Sequence, residues 1–185
     1  MGYDKALELA WKEIEGLADE SRLSVKLLSD TYEIQIPSRS IVSVSCNVPA
    51  KEHISIILLH YVIRRFHLKA LPEPTGEWVD FNQLEGGEGY YPAFKKRTID
   101  QLIRKFGDDP GGLLRAGERF PSKRSATGDA GVIFYPLEYV PIMLTIWKAD
   151  EEFGSDANIV FDKDISAIFC TEDIVVLTEF LTHQL

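Results

Sequence analysis

The sequence predicts an α+β protein in which an antiparallel sheet packs against helices within a single domain. Three observations support this fold class. Along the chain, helical patterns, a strand meander, further helices, a strand hairpin and a closing helix follow one another. The 185 residues are enough for one good core and short for two. The content of 45% hydrophobic and 26% charged residues is ordinary for a globular protein.

The N-terminal part predicts a helix, a meander and a second helix. Apolar residues recur at helical spacing over 3–19. Three alternating or β-branched runs separated by turn residues then predict an antiparallel meander: 23–28, 31–36 and 40–46. Residues 50–70 are apolar on most faces, which predicts a central helix packed from several sides. Pro72 and Pro74 cannot continue that helix.

The C-terminal part predicts a loop, a helical subregion at 95–120, and a hairpin. The aromatic and glycine-rich segment 77–94 predicts an ordered loop with a short strand at most, and 93–106 predicts a helix that Gly107 caps. A second short helix follows Asp109-Pro110, and 117–131 is typical of a mobile loop. The remaining predicted elements are a hairpin at 132–147, a strand at 158–162 and a helix capped by Thr171.

Composition excludes several classes of protein. No apolar run approaches the roughly 20 residues that cross a bilayer, and the N-terminal residues lack the pattern of a secretion signal. We therefore expect a cytoplasmic protein. Cys46 and Cys170 lie far apart and have no neighbouring cysteine, so they build neither a zinc ribbon nor a self-contained iron–sulfur site. We expect both to be small buried residues.

The charge is unevenly distributed around a net value of −9. Residues 95–124 carry nine Lys and Arg against four acids, whereas 150–185 carry nine acids against one lysine. This acidic balance argues against nucleic-acid binding. The basic stretch is suited to one anionic ligand or partner, although such stretches are more often a solvated face.

The segment WKADEEFGSDANIVFDKD, residues 147–164, is the candidate metal site. Hard cations prefer clustered oxygens, and Asp150, Glu152 and Asp162 supply three carboxylates. The spacing departs from a calcium-binding loop because Gly154 is one position early and Phe161 stands where the last glutamate belongs. A solvated turn between two strands is the alternative interpretation.

His53, His60 and His67 recur every seven residues on the central helix. Seven residues rise about 10.5 Å along a helix, so these side chains cannot share one metal ion. Each is more typical of a core or boundary position than of a functional one.

The aromatic residues predict a small-molecule or cofactor pocket between the loop 78–94 and the strand ends near Trp147. Such pockets are mostly apolar with a few polar anchors. The candidate binding residues are Glu77, Trp78, Tyr91, Arg97, Trp147, Asp150 and Glu152. No nucleophile elbow or phosphate-binding loop is present, so no catalytic residue is predicted.

Several motifs resemble those of a domain-of-unknown-function family. The most specific is W-x-x-D-E-E-F at 147–153, followed by F-D at 161–162 and T-E-D at 171–173. The resemblance covers residues from about 55 to the end and, more loosely, the helix and meander before them. The family that the sequence resembles is found mainly in anaerobic bacteria and archaea. Some of its members are regarded as iron–sulfur proteins because they carry an added cysteine-rich segment. This sequence lacks that segment, which argues against an iron–sulfur cluster here.

Three functions are consistent with the sequence. The first is an accessory, non-catalytic protein of anaerobic metabolism that binds a small molecule or cofactor of unknown identity. The second is a metal-dependent hydrolase that uses Asp150, Glu152 and Asp162 to hold a cation that activates water. The third is an interaction module that presents an acidic face to a basic protein partner.

Overall fold

The structure, a computed structural model, describes residues 3–185. This part of the chain divides into two compact units, one ending at Pro72 and the other covering Glu73–Leu185. Each unit combines helices with an antiparallel sheet, so the predicted α+β class is confirmed. The assignment of all 185 residues to a single domain stays a prediction.

The first unit contains two helices and a three-stranded sheet. Its elements are α1 (Asp4–Leu17), β1 (Arg22–Leu27), β2 (Asp30–Gln35), β3 (Ser40–Ser43) and α2 (Glu52–Leu68). The strands pair in chain order, which confirms the predicted meander. Helix α2 buries eight residues between Ile54 and Ile63 and packs against α1. It is therefore the multi-sided core helix that its apolar sequence predicts.

The second unit contains a five-stranded sheet with strand order β4-β8-β7-β6-β5. Its elements are β4 (Trp78–Asp80), α3 (Gly87–Arg97), α4 (Ile99–Phe106), α5 (Gly111–Gly117), β5 (Ser122–Ser125), β6 (Ala130–Leu137), β7 (Val140–Trp147), β8 (Asp156–Asp162), α6 (Ile165–Ile168) and α7 (Thr171–Gln184). Strands β6 and β7 form the predicted hairpin, with Leu137 opposite Val140. Both are buried over most of their length, because they lie inside the sheet rather than at its edges.

The segment 77–94 is more regular than the sequence predicts. The short strand is present as β4, but a 3₁₀ turn at Phe81–Gln83 and helix α3 occupy most of the remainder. Gly86 adopts a left-handed conformation (φ 72°) just before α3. Gly87 then approaches Phe81 so closely that an added Cβ would overlap the Phe81 carbonyl oxygen. Glycine here permits a tight turn into a helix rather than a loop.

The predicted helix at 93–106 is two helices, because the backbone turns at Thr98 (φ −125°, ψ −66°). Gly107 follows the second of them with φ −59° and is not a left-handed cap. It is instead required by space, since an added Cβ would lie 2.5 Å from Ser155 Oγ. The helical subregion itself is present as the end of α3 with α4 and α5.

Three further predictions about ends and loops are corrected. The stretch 117–131 contains strand β5 and is not a structureless loop. Pro110 precedes α5, while the Asp109 side chain pairs with Arg115 instead of capping the helix. Cys170 holds the position before α7, and Thr171 donates its hydroxyl to the Glu85 carbonyl. A threonine hydroxyl can hydrogen-bond either to its own helix or to a carbonyl group elsewhere in the chain. The local sequence does not reveal which of these it does.

Within residues 3–185, no helix is both long and apolar enough to cross a membrane.

Candidate functional site

Strand β8 separates the candidate site residues into two groups. Trp78 lies opposite Asp162 at the C-terminal end of β8, and Trp147 lies opposite Asp156 at its N-terminal end. Six residue steps along a strand span about 20 Å. The two tryptophans therefore do not frame one pocket between the loop 78–94 and the end of β7.

Asp162 lies far from Asp150 and Glu152, because it is the last residue of β8 and they precede the first. Its carboxylate is 2% exposed and accepts hydrogen bonds from the backbone N–H groups of Gly76 (2.7 Å) and Asp164 (3.1 Å) and from the Thr75 hydroxyl. Among the described residues, no three His, Cys, Asp or Glu side chains are arranged to hold a metal ion. Asp162 therefore has a structural role in the fold, and the metal site stays a prediction.

Three other candidates make contacts that hold the unit together. Glu77 forms an exposed ion pair with Lys163 (2.7 Å), and its carbonyl accepts the Lys163 N–H. Arg97 approaches Glu179 of α7 at 3.6 Å. Tyr91 is half-buried, with its ring 6.4 Å from that of Phe94.

Some aromatic residues of the segment 77–94 belong to the core. The rings of Phe81 and Phe94 stack at 4.0 Å, and Phe161 of β8 lies 6.1 Å from Phe94. All three side chains are almost fully buried. These aromatic residues pack the sheet against α3 and offer no surface to a ligand.

The other end of the sheet presents aromatic side chains to solvent. Trp147 is 38% exposed although it ends the otherwise buried strand β7, and Phe153 is 70% exposed. We call residues 147–153 the aromatic turn. It coincides with the W-x-x-D-E-E-F motif.

Asp150 fixes the backbone of the aromatic turn. One carboxylate oxygen accepts the N–H groups of Glu152 and Phe153, both at 2.8 Å, and the Asp150 N–H donates to the Phe153 carbonyl at 2.9 Å. The N–H groups of Phe153 and Glu152 stabilise the ionised form and lower the pKa of Asp150. Asp150 is therefore a turn-forming residue that stays charged, while the side chains of Glu151 and Glu152 are exposed.

Gly128, Asp129 and Asp156 belong to the segments next to Trp147 in the sheet. A Cβ added to Gly128 (φ 68°) would lie 3.4 Å from Trp147 Cε2, so the indole lies close against the glycine backbone. The Asp129 N–H donates to the Ile146 carbonyl (3.0 Å), and its carboxylate accepts the Lys148 N–H (2.7 Å). Asp156 stands directly across from Trp147 on β8, where paired side chains share one face.

The sequence analysis missed Gly128 and Asp129, because both fall in the stretch interpreted as a mobile loop. The Thr-Gly-Asp composition signals a turn. Nothing in the local sequence indicates that this turn lies against Trp147, nineteen positions further along the chain.

The basic stretch 95–124 is largely compensated within its own unit. Acidic partners lie close to four of its cations: Lys95 with Asp100, Arg97 with Glu179, Arg115 with Asp109 and Arg124 with Glu118. Lys105 and Arg119 donate to the carbonyl oxygens of Thr182 and Leu185 at the end of α7, where the helix dipole favours cations. This arrangement supports the solvated, structural interpretation of the stretch.

The cysteines are exposed, which corrects the prediction that they are buried. Cys46 lies on the loop after β3, and Cys170 lies at the start of α7. Desolvation of its sulfur nevertheless raises the pKa of Cys170 to about 12.

Two of the three histidines of α2 occupy boundary positions, as predicted, and the third lies at the surface. His53 and His60 are half-buried, and His67 is exposed and lies 2.7 Å from Glu13 of α1. His67 thus links the two helices of the first unit.

Fold and geometry together define an α+β protein with an exposed aromatic, acid-rich turn at one end of its larger sheet. The family model described as Domain of unknown function (DUF3786) matches residues 7–184, and the chain belongs to this family. No curated protein and no solved structure matches the chain significantly.

Proposed function

We propose that this protein is an accessory, non-catalytic binding protein whose recognition surface is the aromatic turn. The observation that carries the proposal is the exposure of Trp147 and Phe153 on a turn whose backbone Asp150 holds in place. Large exposed aromatic side chains on a fixed backbone bind ligands at a low cost in conformational entropy. The ligand is a small molecule or cofactor, and the family resemblance suggests anaerobic metabolism. A cytoplasmic setting is part of the same proposal.

This surface differs from the pocket that the sequence predicts. Trp78, Glu77 and Arg97 lie away from Trp147 or make structural contacts, so they no longer belong to the site. Asp150 and Glu152 remain beside the exposed aromatic residues, the first as a fixed anion and the second as an exposed carboxylate. We do not propose the hydrolase, because among the described residues no three carboxylates are grouped to hold a cation.

Native mass spectrometry of protein purified without oxygen, together with a metal assay and an absorption spectrum, tests the proposal. We expect a reproducible additional mass that Trp147→Ala and Phe153→Ala both remove. Leu9→Ala is the matched control, because it deletes a 57% exposed apolar side chain on α1. Retention of the same mass in Trp147→Ala would show that the ligand binds elsewhere.

A second candidate is an interaction module for a basic protein, and the exposure of Asp150, Glu151, Glu152 and Asp156 favours it. Attraction between such exposed charges weakens as the Debye length falls from about 10 Å to about 3 Å between 0.1 M and 1 M salt. A partner captured through the aromatic turn should therefore dissociate over this range. Association that is insensitive to salt would count against the acidic face.

A further inference from the structure

We propose that Trp147, with Asp129 and Asp156, forms a site for an organic cation, either an ammonium or a guanidinium group. This inference rests on the proposed function, since it specifies the chemistry that the aromatic turn recognises. It depends on one exposed aromatic ring with a carboxylate on each neighbouring strand or turn.

The indole ring of Trp147 is supported on one side and partly exposed to solvent. The indole lies against the Gly128 backbone, where any larger residue would collide with Thr145 and with the Ile146 carbonyl. The other surroundings leave 38% of Trp147 exposed. Tryptophan is the strongest aromatic partner for a cation, because the electron-rich face of its ring attracts positive charge.

The two aspartates belong to the segments that neighbour Trp147 in the sheet. Asp129 follows Gly128 and binds the backbone on either side of Trp147, at Ile146 and at Lys148. Asp156 is the direct cross-strand partner of Trp147 on β8, and side chains in such pairs approach to about 5 Å between their Cβ atoms. Both aspartates are exposed, so a bound cation reaches them without burying either charge.

Two lysines lie near the proposed site, Lys95 and Lys148. Lys95 hydrogen-bonds to Asp100 at 2.7 Å, which raises the pKa of Lys95, and Asp156 adds a weaker attraction. Lys148 contributes its backbone N–H to Asp129. Lys95 is thus paired mainly with Asp100, and its effect on Asp156 is the smaller one.

The test follows the three indole N–H resonances by NMR, with Trp147 assigned from its absence in Trp147→Phe. The titrant is N-acetyl-arginine amide, and N-acetyl-citrulline amide is the neutral control of the same shape at the same ionic strength. We expect a saturable shift of Trp147 with the arginine compound only, while the resonances of Trp11 and Trp78 stay in place. Equal shifts with both compounds, or no shift with either, would overturn the cation site.

Charge-removing variants sharpen the test. Asp129→Asn keeps an oxygen for the Lys148 N–H, and Asp156→Asn leaves the Asp129 turn untouched. Each should weaken binding by up to about fivefold, the range that corresponds to the loss of one exposed ion pair. Asp108→Asn removes the same charge from an exposed position in the same unit and should change little. Identical affinity in the Asp156→Asn variant and in the Asp108→Asn control would contradict a role for Asp156.

A short peptide with one arginine between neutral residues distinguishes the sources of the cation. Tighter binding of the peptide than of the amide indicates a protein partner, and equal binding indicates a free small cation. A ligand mass that depends on Trp147, combined with no response to arginine, would leave the proposed binding function standing and reject only the cation.

Discussion

The buried carboxylate of Asp162 accepts a 2.7 Å hydrogen bond from the backbone N–H of Gly76, which ties the segment before β4 to the end of β8. Thr75 and Asp164 donate to the same carboxylate. Asp162 belongs to the stretch in which the sequence predicts a metal site. In the structure its carboxylate accepts several hydrogen bonds within the fold.

Replacing Asp162 should therefore destabilise the second unit. In Asp162→Asn one acceptor oxygen becomes a donor that faces backbone N–H groups, and we expect a loss of about 1–3 kcal/mol in the free energy of unfolding. Denaturant unfolding followed by circular dichroism measures it. Asp108→Asn, an exposed change of the same kind, is the control. Equal unfolding midpoints for the two variants would contradict the role assigned to Asp162.

Gly128→Ala should disturb the support of Trp147. The residue has φ 68°, and a Cβ there would lie 2.4 Å from Thr145 Cγ2 and 2.7 Å from the Ile146 carbonyl oxygen. We expect a destabilisation of about 1–3 kcal/mol from the strained backbone and a changed environment of Trp147 in its indole resonance. Gly154→Ala should be nearly neutral, because no atom lies within 4 Å of its added Cβ. A neutral Gly128→Ala would show that the glycine is not required.

The aromatic turn should loosen in acid. The Phe153 and Glu152 N–H groups lower the pKa of Asp150 below its ordinary value of 3.8. A lowered folded-state pKa means that the turn gains its stabilisation above pH 3.8 and loses it as the pH falls through the folded pKa. NMR titration should show the Glu152 and Phe153 amide protons moving together with a midpoint below 3.8. A midpoint at or above that value would contradict the hydrogen bonding described for Asp150.

Asp150→Asn should produce the same loosening at neutral pH. The neutral amide accepts the two N–H groups less strongly than the carboxylate does. Hydrogen exchange at Glu152 and Phe153 should therefore accelerate, while exchange in β7 stays unchanged. Asp108→Asn is again the control for the loss of one charge.

The two cysteines should differ in reactivity. Desolvation raises the pKa of Cys170 to about 12, so at pH 8 roughly one sulfur in ten thousand is a thiolate, the form that reacts. Mass spectrometry after brief treatment with iodoacetamide should find Cys46 modified and Cys170 unmodified. Cys46→Ser should then abolish the fast phase of labelling. Rapid labelling of Cys170 in that variant would contradict its raised pKa.

Much of the fold could be predicted from periodicity. The alternating runs became β1 to β3, the predicted hairpin at 132–147 became β6 and β7, and the segment that is apolar on most faces became α2. These patterns depend on local backbone geometry and on which face is buried, and both leave a direct trace in the sequence.

The errors occurred where a distant contact decided the conformation. Gly87 enters a helix because it packs against Phe81, and Gly107 leaves room for Ser155. Thr171 serves the Glu85 carbonyl instead of its own helix. Glycine and threonine are compatible with several local conformations and hydrogen-bonding roles. Contacts with residues that are distant in sequence therefore determine which one is adopted.

For the candidate site, the sequence by itself determined that aromatic and acidic residues follow the last hairpin, and that any metal would need carboxylates from 150–162. Tertiary structure decided how those residues group. Strand β8 carries Asp162 about 20 Å from the aromatic turn, and the turn before β6 brings Gly128 and Asp129 to Trp147. Sequence separation does not measure distance in a sheet. Strand pairing places residues that are remote in sequence side by side, and an extended strand separates residues that are close in sequence.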